Sequence, residues 1–210
     1  MAELIRGLDA GRIARNLEQV REEIGRDGVE VLAAVKYVAL EELDALAEAG
    51  ITVVGENRAQ ELGAKAAAHP ELTWDFIGQL QSRKVKTVLP LVRYIHSVCT
   101  DSALAQLARH GTPETRILVE VNVAREEGKS GVAPADLDDF IARSPAEVVG
   151  LMTMPPLADE PEDSRRWFAA LAQLAADRGL PELSMGTTQD FAVAAQEGAT
   201  IVRIGTRLYS

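Results

Sequence analysis

The first residue of this chain with the means to do covalent chemistry is a lysine that closes an apolar run. Lys36 follows Val31–Val35 in "VLAAVKY". Desolvation among apolar walls disfavours an ammonium and favours a free amine, which condenses with aldehydes. Two plainer readings stay open: a side chain that reaches past the strand end to water, and a structural ion pair with Glu56. A second set places glycine beside hydroxyl. "SMGTTQD" puts Gly186 beside Thr187 and Thr188, with Ser184 just before, and "RIGT" puts Gly205 beside Thr206. Close backbone approach, hydroxyls and a helix start are the means by which barrels hold phosphate after strands seven and eight. Each glycine is equally a turn, and Thr188 equally a helix cap. Arg203 shares one face of a short apolar run with Ile201 and Gly205, so an inward guanidinium needs an acceptor, either a carboxylate such as Glu56 or a ligand ring nitrogen. Asn57 and Gln60 have capping-box spacing unless Asn57 also faces a ligand. His96 is a satisfied interior residue or part of the same site. His69, His96 and His110 lack metal-ligand spacing, and no metal is expected.

The elements that must position these residues alternate. Short β-rich runs cover Val29–Lys36, Ile51–Gly55, Thr73–Gly78, Tyr94–Val98, Arg116–Val123, Val148–Met154, Glu182–Gly186 and Thr200–Gly205. Between them lie helix-forming stretches such as "NRAQELGAKAAAH" and "DSRRWFAALAQLAADRG", several ending in a glycine suited to a left-handed cap: Gly50, Gly111, Gly179, Gly198. Strict alternation predicts parallel strands joined by right-handed crossovers, and eight repeats predict a closed (β/α)8 TIM barrel; a doubly wound open sheet is the runner-up. An extra helix from about Ala2 to Arg26 is expected outside the barrel or across its bottom. Residues 1–210 read as one domain. The strand ends are polar all round: Glu56, Gly78, Gln79, Ser97, Asn122 and Thr153 join the residues above, which points to a site at the C-terminal face.

Composition narrows the function. A net charge of -10 repels phosphate backbones and anionic headgroups, so neither nucleic acid nor membrane is an expected partner. The most basic stretch, "QSRKVK" at Gln81–Lys86, reads as a solvated helix face. One cysteine, Cys99, excludes an internal disulfide and suits a reducing cytoplasm. The amphipathic N-terminus lacks the apolar core of a signal peptide. No apolar stripe stands out, and a monomer is expected.

A strand-one lysine, a phosphate cup and a strand-eight arginine, together with "AAVKY", "GENRAQE", "WDFIGQLQSRK", "IHSV", "VEVNVAREEGKSGV", "GLMTM" and "LSMGTTQDFAVAAQEGATIVRIGT", resemble the YggS/PROSC family of pyridoxal 5′-phosphate homeostasis proteins in order and spacing. The resemblance implies a cofactor-only barrel similar to the N-terminal domain of alanine racemase. Lys36 would carry the cofactor as a Schiff base, Asn57 would contact the ring region, and Ser184, Thr188, Gly205 and Thr206, beside Gly186, would hold the phosphate. Arg203 would face the pyridine nitrogen; an arginine donates there and leaves the nitrogen unprotonated, weakening the electron sink. The chain departs from the family pattern at Thr187, Arg83 and Cys99. The implied role is storage and delivery of the cofactor to apoenzymes by transient contact, with no robust catalysis. Amino-acid racemisation is the alternative, and a Schiff-base aldolase a third. Against racemisation, the sequence ends soon after strand eight, and Tyr37 and Tyr94 are the nearest substitutes for an opposing tyrosine.

Overall fold

The computed structural model describes residues 4–210. The strands β1 (Glu30–Ala34), β2 (Val53–Glu56), β3 (Thr73–Phe76), β4 (Tyr94–Val98), β5 (Arg116–Glu120), β6 (Glu147–Met152), β7 (Glu182–Thr187) and β8 (Ile201–Ile204) close into one barrel in sequence order. Every neighbouring pair is parallel, and β8 closes on β1 with Val202 opposite Val31 and Arg203 opposite Leu32. Helix α1 (Ala10–Ile24) precedes the barrel. The crossovers carry α2 (Leu43–Glu48), α3 (Ala59–Ala68), α4 (Val85–Val88), α5 (Asp101–His110), α6 (Leu137–Ala142), α7 (Arg165–Ala176) and α8 (Phe191–Gln196), and α9 (Thr206–Tyr209) follows β8. This is the (β/α)8 TIM barrel that the alternation of patterns predicts.

Two apolar regions hold it together. The larger fills the space between barrel and helices, with Ile13, Leu17 and Val20 of α1, Leu62 of α3, Leu107 of α5 and Phe168 of α7 all buried against outward strand residues. Inside the barrel, Leu32, Val53 and Ile201 pack with Ile77 and Tyr94, and Leu118, Val149 and Met152 close the layer from the other side. The interior is tight: a Cβ on Gly55 would come within 2.4 Å of the Leu32 side chain.

Helix α1 is shorter than its sequence implies. Gly7 takes φ +69 and the Asp9 side chain accepts from the Arg12 N–H at 2.6 Å, so the helix begins at Ala10, and Gly25 at φ +65 ends it. Ahead of the cap the chain runs alongside the loop that follows β1: Ile5 N–H donates to the Tyr37 carbonyl at 2.7 Å, and Ala39 N–H returns to Ile5. Ala2 and Glu3, part of the expected helix, lie outside the described residues. Helix α1 packs on α2, α8 and α9 along the outside of the barrel. Gly111 is no left-handed cap, since its φ is -68; it is needed because a Cβ there would come 2.6 Å from the Leu107 carbonyl. "QSRKVK" forms a single 3-10 turn, Ser82–Lys84, running into α4. Among the described residues no helix is long and apolar enough to cross a membrane.

Candidate functional site

A cavity of about 330 Å³ opens at the C-terminal end of the barrel, and Lys36, Asn57, Glu120, Met154, Thr187 and Arg203 line it. Strand β1 ends at Ala34, so Lys36 sits on the turn beyond it and not within the strand. The turn is pinned: Val35 N–H donates to Gly55, and the Val35 carbonyl accepts from Val38 N–H at 3.0 Å and from Lys65 Nζ at 2.7 Å. Lys36 itself is half-buried, with Nζ 4.6 Å from the centroid of the Tyr37 ring. The ion pair with Glu56 is not made. Glu56 is fully buried and its carboxylate accepts from Lys65 Nζ at 2.6 Å and from the backbone N–H groups of Asn57 and Arg58. Lys65 meets Glu61 as well, at 3.4 Å. Among the described residues Lys36 therefore has no ion-pair partner, whereas the buried Lys65 is fully committed.

Asn57 does not cap α3. The position before that helix is Arg58, without a side-chain cap, and Gln60 is exposed. Asn57 Oδ1 is instead buried without a hydrogen-bond partner. A buried amide oxygen left unpaired is destabilising and calls for a donor that the protein does not itself supply. Gly78 fixes this residue from the next strand end, since a Cβ there would lie 2.2 Å from the Asn57 carbonyl oxygen.

Arg203 points inward from β8, as its alternation with Ile201 requires, and is 6% exposed. Its Nη2 donates to the Thr153 carbonyl at 3.0 Å and to Met154 Sδ, and its Nη1 donates to Ser184 Oγ. No carboxylate pairs with it among the described residues. Burial pulls the guanidinium down to about 10, with Asp190 and Glu120 opposing at longer range. Arg203 still carries its charge at neutral pH.

The phosphate candidates separate into two groups. Thr188 and Gly205 meet, with Gly205 N–H donating to Thr188 Oγ1 at 3.3 Å, and exposed Thr206 begins α9 directly beyond. Thr188 caps no helix: Asp190 precedes α8 and spends its carboxylate on the Thr187 N–H at 2.8 Å. Ser184 departs from the expectation. It is fully buried within β7, and its hydroxyl is engaged by His96 Nδ1 at 2.8 Å and by Arg203. A hydroxyl so enclosed supports the arginine and cannot grip an outside anion. Gly186, at φ +90, is required for packing, because a Cβ would come 2.5 Å from Ala194 Cβ in α8.

The sequence patterns miss other residues here. Glu120 ends β5, is 7% exposed and accepts from Ser130 Oγ at 2.6 Å. Read as a strand to Val123, β5 offered Asn122 for the site; with the strand ending at Glu120, Asn122 turns to the loop, its side chain bonding Glu126 N–H and carbonyl. His96 is fully buried beneath the cavity, Nε2 3.1 Å from Asp75. Burial lowers His96 against the pull of Asp75, whereas the Asp75 carboxyl, which burial alone would raise, is held low by hydrogen bonds from His96 and Arg93. Glu120 has a strand-end position as a usable sequence signal, His96 already reads from the sequence as an interior or site residue, and Asp75 within β3 has no such signal.

A closed parallel barrel with a lysine just past β1 and an arginine within β8 facing one cavity defines a (β/α)8 barrel with its site at the C-terminal face. The sequence profile of the family described as alanine racemase, N-terminal domain, matches residues 8–210. The pyridoxal phosphate homeostasis protein of Aquifex aeolicus is 38% identical, covering 94% of this chain and 96% of the relative. The protein of the same name in Pseudomonas aeruginosa is 34% identical over 94% of this chain and 92% of its own. This chain thus belongs to the pyridoxal phosphate homeostasis protein family within the alanine racemase N-terminal domain group. Among solved structures, PipY of Synechococcus elongatus with PLP bound superposes with a TM-score of 0.81 at 29% identity, covering 94% of this chain and all of that one. Alanine racemase of Corynebacterium glutamicum, at 15% identity and TM-score 0.76, shares the fold, with 61% of its chain covered.

Proposed function

We propose that this protein binds pyridoxal 5′-phosphate as a Schiff base on Lys36 and serves its homeostasis in the cytoplasm, as a one-domain monomer that stores the cofactor and delivers it to apoenzymes without robust catalysis. The observation that carries the reading is the unpaired amine of Lys36 in one cavity with Arg203 and the partnerless carbonyl of Asn57. The names borne by the relatives and the PLP-bound PipY support the choice of cofactor.

The residues present fit such a group. The cavity, about 330 Å³, is of the size that takes a small ligand. Asn57 Oδ1 lacks a donor, and Thr188, Gly205 and Thr206 gather hydroxyls and backbone beside Gly186 at the ends of β7 and β8. When bound, the cofactor supplies an aldehyde that condenses reversibly with a primary amine. Lys36 offers that amine, its turn held by the Lys65 contact to the Val35 carbonyl. Arg203 would face the ring nitrogen as a donor and, being charged, would leave it unprotonated. Tyr94 starts β4 and packs with Leu118 in the barrel interior, which argues against an opposing acid there, and the Tyr37 ring lies against Lys36 Nζ.

An absorbance spectrum tests this directly. The protein incubated with pyridoxal phosphate should be yellow, and Lys36→Ala should lose the visible band. A wild type that takes up no cofactor overturns the proposal. Chiral analysis of amino acids after long incubation then separates storage from racemisation, since turnover well above that of the free cofactor defeats the non-catalytic reading.

A further inference from the structure

Between the two ends of the barrel runs a chain of polar groups that binding alone does not require. Glu30 at the start of β1 accepts from Arg93 Nη1 at 3.0 Å, and Arg93 donates through Nε and Nη2 to Asp75 of β3 at 3.1 and 2.7 Å. Asp75 faces His96 Nε2 at 3.1 Å, His96 Nδ1 faces Ser184 Oγ at 2.8 Å, and Ser184 accepts from Arg203. Asp75, His96 and Ser184 are each 0% exposed.

The proton positions follow from the donor and acceptor count. Asp75, held ionised, only accepts, so His96 Nε2 carries a hydrogen. A neutral imidazole has one N–H, and burial disfavours a second proton, so Nδ1 is an acceptor. Nδ1 takes the single Ser184 hydroxyl proton. The serine oxygen is then left only to accept, and it accepts from Arg203 Nη1. From Arg203 through Ser184 and His96, every hydrogen points toward Asp75. Of the five guanidinium hydrogens, Nη2 spends its two on Thr153 and Met154 and Nη1 spends one on Ser184. One on Nη1 and one on Nε remain.

We propose that Asp75 and His96 are positioning residues that act through Ser184 to orient Arg203, fixing which of its N–H groups are left to face a ligand ring nitrogen. The inference rests on the pyridoxal phosphate reading above. It assigns Ser184 to the arginine and His96 to a neutral, Nε2-protonated state, and makes Arg203 a donor whose direction is set from β3 and β4 and not by β8 alone.

Nitrogen-15 spectra of the histidine side chains in cofactor-free protein test the direction without any variant. We expect neutral His96 with hydrogen on Nε2 at neutral pH; an Nδ1-protonated ring or an imidazolium overturns the proposal. Binding tests the consequence. Pyridoxal phosphate is compared with its carbocyclic analogue, in which C–H replaces the ring nitrogen, on wild type and Ser184→Ala. The variant should lose about tenfold in affinity for pyridoxal phosphate, the scale of one hydrogen bond, and less than about twofold for the analogue. Equal losses for both ligands mean a merely structural serine and overturn the positioning role. A wild type that binds neither ligand overturns the cofactor reading itself, a failure that the histidine spectra keep distinct.

Discussion

The two ends of the barrel treat their charges in opposite ways. At the end where strands begin, Arg93 is held by both Glu30 and Asp75, and Asp75 also takes the Tyr94 N–H. At the end where strands finish, Lys36 has no counter-charge among the described residues, Arg203 has none, and Asn57 keeps a buried oxygen without a donor. The first end meets its charges with opposite charges of the chain, and the second leaves Lys36 and Arg203 without one and Asn57 Oδ1 without a donor. Burial alone does not distinguish the two, since Asp75 and Arg203 are both deeply enclosed. What distinguishes them is whether an opposite charge of the chain is the partner.

Breaking the satisfied end should cost most. Arg93→Met strips Asp75 of its cation, and we expect a loss of about 3–5 kcal/mol in chemical denaturation, with affinity for pyridoxal phosphate measured separately to locate the damage. Acid should act on the same interior. His96 sits below the ordinary imidazole value near 6.5, so below about pH 6.5 the unfolded chain takes up a proton that the folded one refuses. Its contribution is complete above that pH and is lost as pH falls toward the lowered folded value, and the depressed Asp75 adds a further loss near pH 4 and below. Thermal unfolding as a function of pH should show midpoints falling through this window; a flat profile from pH 7 to 5 would contradict it. At the open end, Gly78→Ala forces the Asn57 backbone aside and should cost about 1–3 kcal/mol, together with ligand affinity. In α3, which carries Lys65 between the two regions, Gly63 has open space around it; Gly63→Ala should stabilise by about 0.5–1 kcal/mol. Lys36→Ala should shift stability least, within about 0.5 kcal/mol, although the proposed covalent capture should be lost. A large destabilisation there would show that Lys36 has a structural partner after all.

The barrel was legible because apolar runs and helical stretches alternate with a regular beat, and the end residues of those runs fall on one face. Lys36, Asn57 and Arg203 were visible for that reason. The errors come from the last one to three residues of strands. Reading β1 through Lys36 placed the lysine in a wall when it stands on a turn, and reading β5 through Val123 hid Glu120 behind Asn122. His96 and Ser184 were visible as residues, but the chain that joins them was not legible. His96 and Ser184 are 88 positions apart and Asp75 and His96 are 21 apart, distances at which no local pattern operates. Lys65, in an alanine-rich helix, looks like a solvent-facing cation until the fold turns it onto Glu56.

That buried lysine bears on the handling of any reactive aldehyde. An aldehyde scars proteins through their amines, while guanidinium groups form no stable imine. This chain keeps only five lysines, against a far larger share of arginine. Lys65 reaches the carbonyl of Val35, the residue before Lys36, and its ammonium is spent on that carbonyl and two carboxylates. Reductive trapping with an aldehyde should therefore mark Lys36 and leave the adjacent Lys65 silent.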